Sequence, residues 1–237
     1  MEGFNYSNIF ETKGIEYIAI ITFFIVLIPF WIMLNKRGAI KDKINKVLNI
    51  FSIDILKIPQ GVFHSKNHTW AHMEKSGTAS IGLDDFLIHT IGEVNVTKLK
   101  ESGEIISKGD LLTELQKGDK ILKIFSPISG KVLQANMQLN ETPELLNNDP
   151  YGKGWIYKIK PAKWVEETQS CYIAEDSTNW TKIELQRVKD FLAQTVKKYS
   201  NDPSLVVLQD GGELVDFPLS EQPNVVWHDF QDKFLNI

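Results

Sequence analysis

Residues 102–137 read SGEIISKGDLLTELQKGDKILKIFSPISGKVLQANM, and the pattern inside this stretch decides the fold. Ser102-Gly103-Glu104-Ile105-Ile106, followed by Lys108-Gly109-Asp110, returns 27 residues later as Ser129-Gly130-Lys131-Val132-Leu133, followed by Ala135-Asn136-Met137. In each copy a glycine turn feeds a short apolar strand, and a second residue tolerant of left-handed geometry, Gly109 or Asn136, ends it. Two related half-sheets predict a barrel-like fold with a pseudo-twofold axis. Between the copies, Asp110–Leu115 and Ile121–Phe125 read as strands, and Gly118-Asp119 is a plausible two-residue turn with positive φ open to Gly118.

The same pattern runs outward from Pro59 to Pro161, as short β-type runs punctuated by Gly, Pro and Asn. Thr78–Leu83, Gly92–Leu99, Lys131–Leu133 and Gly154–Ile159 are further strand candidates, while Asp84–Ile91 (DDFLIHTI) reads as a short helix opened by an acidic cap. Closely spaced short strands predict a small sandwich or barrel. His64, His68 and His72 are four apart, which on a helix would form a metal-ligand row. A turn and strand suit the region better, and four residues of strand span about 13 Å, too far for one ion to bridge. Structural roles are therefore expected for them, and no metal site. His89 and His228 show no accompanying nucleophile or carboxylate arrangement.

The stretch from about Ile58 to Lys160 resembles the H protein of the glycine cleavage system, a member of the lipoyl/biotinyl carrier superfamily. The matching pieces are His68-Thr69-Trp70, Gly77 with Ile81-Gly82, Gly92-Glu93-Val94, Ser126-Pro127-Ile128-Ser129-Gly130 and Asn136. Most specific is Thr142-Pro143-Glu144-Leu145-Leu146-Asn147 running into Asp149-Pro150-Tyr151-Gly152-Lys153-Gly154-Trp155. The resemblance implies a lipoyl-type hammerhead barrel or sandwich with the single-hybrid motif. It also implies a lysine at the tip of a β-hairpin, acylated by lipoate, whose swinging arm carries an aminomethyl group between partner enzymes.

This sequence departs from that pattern at the decisive position. In the superfamily the modified lysine lies eight residues before the proline of the S/A-P-x-S/A-G segment, and counting back from Pro127 gives Asp119. The Glu-Ser-Val that precedes it in typical H proteins is here Gln116-Lys117-Gly118. Lys117 and Lys120 flank the tip, out of register by two and one positions. A carboxylate cannot form the amide with lipoate, so no resident cofactor is expected unless a shifted turn presents Lys120 or Lys117.

Outside the carrier-like stretch the chain changes character. From Tyr17 to Leu34 it reads YIAIITFFIVLIPFWIML, eighteen residues without a charge, and a helix of that length rises about 27 Å, just enough to cross a bilayer. The residues ahead of it include Glu2, Glu11 and Glu16 rather than a basic cluster, which argues for a retained anchor over a signal peptide. Lys13 alone precedes the run, whereas Lys36, Arg37, Lys41, Lys43 and Lys46 follow it. The positive-inside rule then places the C-terminal part in the cytoplasm and the N-terminus outside. Residues 38–57 suit either an interfacial amphipathic helix, with Ile40, Ile44, Val47, Leu48 and Phe51 beneath lysines, or a stalk packed on the domain.

After Lys160 the resemblance stops. Thr181-Lys182-Ile183-Glu184 reads as a capping box, with an apolar stripe of Ile183, Leu185, Val188, Phe191, Leu192 and Val196 following it. Leu205–Gln209, Asp210-Gly211-Gly212 and Glu213–Phe217 read as a hairpin, and Val225–Leu235 as a final helix. With Trp164, Trp180 and Trp227 these would form an α+β unit appended to the barrel.

The 237 residues carry 26 Lys and Arg against 30 Asp and Glu, a formal charge of −4, and one cysteine. Mild acidity argues against a nucleic-acid binder, and lone Cys171 reads as a buried, inert thiol. Neither a nucleophilic triad, a Walker loop, a dinucleotide fingerprint nor a paired-carboxylate motif is visible. The organisation expected is an exterior leader at 1–16, a transmembrane helix at 17–34 contacting membrane lipid, a basic stalk at 35–57, a carrier-like domain at 58–160 and an α+β extension at 161–237. The function expected is a non-catalytic scaffold or docking subunit of a cytoplasm-facing assembly in the inner membrane, a redox complex being one candidate, with protein subunits as partners. The alternative is a lipoyl carrier acting through Lys120 or Lys117.

Overall fold

Five successive residues that are all buried, as in the uncharged Ala79–Leu83, mark a strand covered on both faces. Among the described residues it is the third of nine strands: β1 (Phe63–His64), β2 (Thr69–Met73), β3 (Ala79–Leu83), β4 (Asn95–Val96), β5 (Ile105–Ile106), β6 (Leu111–Lys117), β7 (Lys120–Phe125), β8 (Gly130–Ala135) and β9 (Tyr157–Pro161). They form a six-stranded sheet in the order β1-β2-β3-β9-β8-β5 and a three-stranded sheet β4-β6-β7, all pairs antiparallel. The computed structural model describes residues 14, 16–32, 50–97, 100–199 and 214–236. The chain divides into two units, Met1–Leu48 and Asn49–Ile237.

The two copies of the sequence repeat pair with each other, Ile105 opposite Lys131 and Ile106 opposite Gly130. Their glycines serve different purposes. Gly103 has φ +98° and Gly109 φ +85°, the left-handed conformations expected of turns. Gly130 is not left-handed; a Cβ there would lie 2.5 Å from the Lys160 carbonyl oxygen of β9, so it permits a close strand approach. Asn136 is also not left-handed. Its buried side chain instead donates to the carbonyls of Lys153 (2.9 Å) and Trp155 (2.7 Å). Trp70 lies opposite Gly82 across β2 and β3, its indole filling the space a Cβ would need.

In the first unit, residues 16–32 form helix α1, whose apolar side chains are exposed. Among the described residues no helix is long and apolar enough to cross a membrane; Met33 and Leu34 of the expected span lie outside them, as do the leader before Gly14 and the stalk from Asn35 to Asn49. The end of the expected stalk belongs to the second unit: Phe51 is in its core and its N–H donates to the Leu214 carbonyl at 2.7 Å.

In the second unit α2 (Asp85–Ile91) opens as expected, the Asp84 side chain accepting from the Leu87 N–H at 2.8 Å, and it closes at Gly92, φ +76°. Short helices α3 (Gln138–Glu141) and α4 (Leu145–Asn148) connect β8 to β9, and α5 (Trp164–Thr168) follows β9, where the sequence shows no helical period. The long helix α6 runs Glu175–Tyr199, so the capping-box reading of Thr181 is corrected. Thr181 sits inside the helix with its hydroxyl on the Ser177 carbonyl, the back-bond available to a mid-helix threonine. Of the expected stripe, Leu185, Val188 and Leu192 are buried, whereas Ile183 is exposed. Residues 205–213 of the expected hairpin lie outside the described residues, and Val215 pairs with Ile50. The final segment is helix α7 (Asn224–Phe230) followed by a π-helical turn, Gln231–Leu235.

One hydrophobic core joins these parts. Ile81, Leu115 and Ile159 of the sheets share it with Val188 of α6 and with Trp227, Phe230 and Phe234 of the final segment. The elements after residue 160 are thus part of the same packed unit as the strands.

Candidate functional site

The tip of the β6–β7 hairpin is where the family pattern would place its modified lysine. Lys117 and Lys120 lie directly opposite one another across Gly118-Asp119. Gly118 has φ +62° and Asp119 is not left-handed, the combination of a type II′ turn. Asp119 is exposed at the apex. The Gln116 side chain donates to the Gly118 carbonyl at 2.9 Å, bracing the turn.

Both lysines bend toward one residue of the segment before α7. Lys117 Nζ donates to the Ser220 hydroxyl, and Lys120 Nζ donates to the Ser220 carbonyl at 2.9 Å. Two cations facing each other across a ladder repel, and sharing the oxygens of Ser220 relieves part of that. Lys120 Nζ also stands 5.6 Å from the ring centroid of Trp227, a cation–π distance. Further along β7, the Gln231 amide accepts from the Lys123 N–H at 2.7 Å and donates to the Lys123 carbonyl at 3.3 Å. The final segment therefore grips the hairpin along its length. The apex thus offers a carboxylate, and both flanking amines are hydrogen-bonded to Ser220.

The histidines that the sequence brings to notice are separated by the fold. His64 in β1 lies 3.1 Å from the Ser177 hydroxyl and 3.3 Å from Tyr151 Oη, and burial holds its pKa below the ordinary value. His72 donates to the Gly61 carbonyl at 3.1 Å. Among the described residues no cluster of His, Cys, Asp and Glu could hold a metal ion. His68, φ +57°, is fully buried, with Nδ1 2.9 Å from Asp84 Oδ2 and Nε2 3.5 Å from Glu184 Oε2. Burial opposes its charge, but the Asp84 and Glu184 carboxylates outweigh burial and push its pKa up to about 9. The His68 ring stacks on Phe86, Trp180 and Phe234, centroids 4.6, 5.0 and 5.5 Å away. One cationic ring thus ties α2, α6 and the final segment together.

His89, for which the sequence offered no partner, does have carboxylates: Asp216 at 2.7 Å and Asp85 at 3.6 Å. Burial lowers its pKa, and Asp216 and Asp85 more than reverse that, so the value is raised. Asp216 is 127 residues away, beyond any local pattern. Cys171 is half-buried rather than buried, and burial pushes its thiol pKa up, which keeps it unreactive.

The run Thr142–Trp155 is an internally braced turn. The Asp149 carboxylate accepts from the N–H groups of Gly152 (3.1 Å) and Lys153 (2.9 Å). A Cβ on Gly154 would lie 2.8 Å from the Leu145 carbonyl oxygen, and Tyr151 Oη accepts from the Asp85 N–H at 3.1 Å. These are packing constraints, and they explain the specificity of the motif.

A family model described as Glycine cleavage H-protein matches residues 62–184, just over half of the 237 residues. The chain belongs to the glycine cleavage H-protein family. It is 35% identical over 126 residues to the probable glycine cleavage system H protein of Pyrococcus horikoshii, covering 53% of this chain and 93% of that one. It is 34% identical over 106 residues to the glycine cleavage system H protein of Thermus thermophilus, covering 45% and 82% respectively. A crystal structure of a glycine cleavage system H protein from Mycobacterium marinum aligns with TM-score 0.41 at 25% identity, over 44% of this chain and 87% of that one. The H-protein match ends at residue 184, within α6. Ser220, Trp227 and Gln231, which grip the hairpin, lie beyond it.

Proposed function

We propose that this H-protein-family chain is a membrane-anchored scaffold or docking subunit, without a catalytic centre of its own, in which the covalent carrier role has been given up. The observation that carries the reading is the hairpin tip: Asp119 at the apex, with Lys117 and Lys120 both bonded to Ser220. A carrier lysine must project freely so that its arm can enter successive active sites, and neither of these does. The assembly served would be a cytoplasm-facing complex of the inner membrane, a redox complex being one candidate. Support for the anchor is the uncharged run Tyr17–Leu34, followed by five basic residues and preceded by one.

Family membership favours a second reading, a lipoyl carrier shuttling an aminomethyl or acyl group through Lys120 or Lys117. That reading requires the Ser220 contacts to open. Intact mass of the protein purified from its native host in lipoate-replete cells separates the two. An unmodified mass is expected; a lipoyl adduct that disappears in Lys120→Arg or Lys117→Arg establishes the carrier instead. Fractionation tests the anchor: the full chain should require detergent for extraction, and recovery in the aqueous fraction without it overturns the membrane assignment.

A further inference from the structure

The hairpin is not the only surface suited to a partner. A groove of about 680 Å³ lies between β5, the ends of β8 and β9 that adjoin it, and α5. β5 is one of the two edge strands of the six-stranded sheet. Ile105, on β5, is 81% exposed, more than any other large apolar residue described. Such a residue at a sheet edge invites association. Around it the groove is cationic: Lys108, Lys131, Lys160 and Lys163 line it, against one carboxylate, Glu167.

Those charges are poorly compensated within the chain. Lys131 lies opposite Ile105 on one side and Lys160 on the other, a like-charged cross-strand pair of the kind that destabilises a sheet. Among the described residues neither Lys131 nor Lys160 is in an ion pair. Lys163 has Glu166 at 3.9 Å, both side chains more than half exposed, a contact that contributes little. Lys108 Nζ is held by neutral oxygens, the Glu167 carbonyl at 2.9 Å and the Ser170 hydroxyl at 2.7 Å. Both Glu167 carboxylate oxygens are occupied by the N–H and hydroxyl of Ser129. All of this sits on a chain whose formal charge is −4.

We propose that this groove docks an acidic segment of a partner protein, its Asp and Glu carboxylates facing Lys131, Lys160 and Lys163 and an apolar side chain covering Ile105. An exposed apolar centre ringed by charge is the anatomy of a protein interface. A lipid surface is flat and would be met by projecting lysines, whereas here they border a concavity. The inference rests on the docking role proposed above and names the surface and the partner's chemistry.

The test uses the full chain in non-ionic detergent and a fluorescein-labelled peptide of alternating Asp and Leu, read by anisotropy. Binding should weaken roughly tenfold between about 50 and about 300 mM salt. It should fall at least roughly tenfold in the double variant Lys131→Glu with Lys160→Glu, and severalfold in Ile105→Ser, as loss of an apolar anchor predicts. The double variant Lys75→Glu with Lys182→Glu, at exposed lysines elsewhere, should bind as the parent does. Equal loss in that control, indifference to Ile105→Ser, or displacement by soluble dihexanoyl-phosphatidylglycerol in preference to unlabelled peptide would each overturn the proposal. Intact mass of the same preparation reads the carrier state independently. Failed peptide binding with an unmodified mass removes only the groove, and a lipoyl adduct with binding intact removes only the scaffold reading.

Discussion

The run Thr142–Trp155 and the hairpin tip Lys117–Lys120 are both turns within the family-matched region, and they are held in opposite ways. The first is braced mostly by its own motif: Asp149 accepts from the N–H groups of residues three and four further on, Gly154 fits against the Leu145 carbonyl, and nearby Asn136 donates to the Lys153 and Trp155 carbonyls. The tip has two local determinants, Gly118 at φ +62° and the Gln116 side chain on the Gly118 carbonyl. Its other partners, Ser220 and Trp227, come from about a hundred residues away. A turn whose partners lie mostly in or close to its own motif folds the same way wherever the motif recurs. A turn gripped from outside takes its chemistry from whatever grips it, and in this chain that is a segment beyond the family match.

Removing the grip is the strongest way to break this contrast. Trp227 is fully buried and its indole N–H donates to the Leu219 carbonyl at 2.9 Å. Trp227→Ala should cost about 3–5 kcal/mol in urea unfolding, as large-to-small core changes do. Hydrogen exchange should quicken at the amides of residues 117–123 and stay unchanged at 152–154; equal quickening in both would show that the two turns share one support.

Alkaline pH probes the joint between the matched region and the final segment. The folded-state pKa of His68, about 9, lies above its ordinary value. Its contribution is therefore complete below about pH 6.5 and is lost as pH rises through about 9. Unfolding free energy should drop by about 3 kcal/mol at most between about pH 6 and pH 10. In His68→Gln the slope over that window should flatten; an unchanged slope would move the effect to another group.

The smallest effect sharpens the contrast from the other side. At Gly154 a Cβ would meet backbone oxygens of Leu145 (2.8 Å) and Asp149 (2.9 Å), which cannot rotate away. Gly154→Ala should cost about 1–3 kcal/mol, the usual range for overpacking. Exchange should quicken at 152–154 while the Ser220 contacts, followed by exchange at Lys117 and Lys120, persist.

Much of the strand framework was legible because it follows from local pattern. Ala79–Leu83, the β6–β7 pair and the Asp84 cap of α2 stand where short β-type runs, turn chemistry and capping place them. The sequence is ambiguous where one signal has two physical sources. Gly103 and Gly130 look alike in sequence, yet one supplies a positive φ and the other room for Lys160. Thr181 and Glu184 have capping-box spacing, but the helix begins at Glu175, and Glu184 points to His68 at 3.5 Å.

What the sequence determined by itself was the β-rich carrier-type framework, the braced motif run and the carboxylate at position 119, because torsional preference, periodicity and the side chain's chemistry are properties of neighbouring residues. Only the tertiary structure decided that His89 meets Asp216, that His68 joins α2 to α6 and the final segment, and that Lys117 and Lys120 are held on Ser220. Those pairings join residues as many as 127 positions apart. They are selected by burial of a shared core, a collective quantity that no short stretch of sequence records.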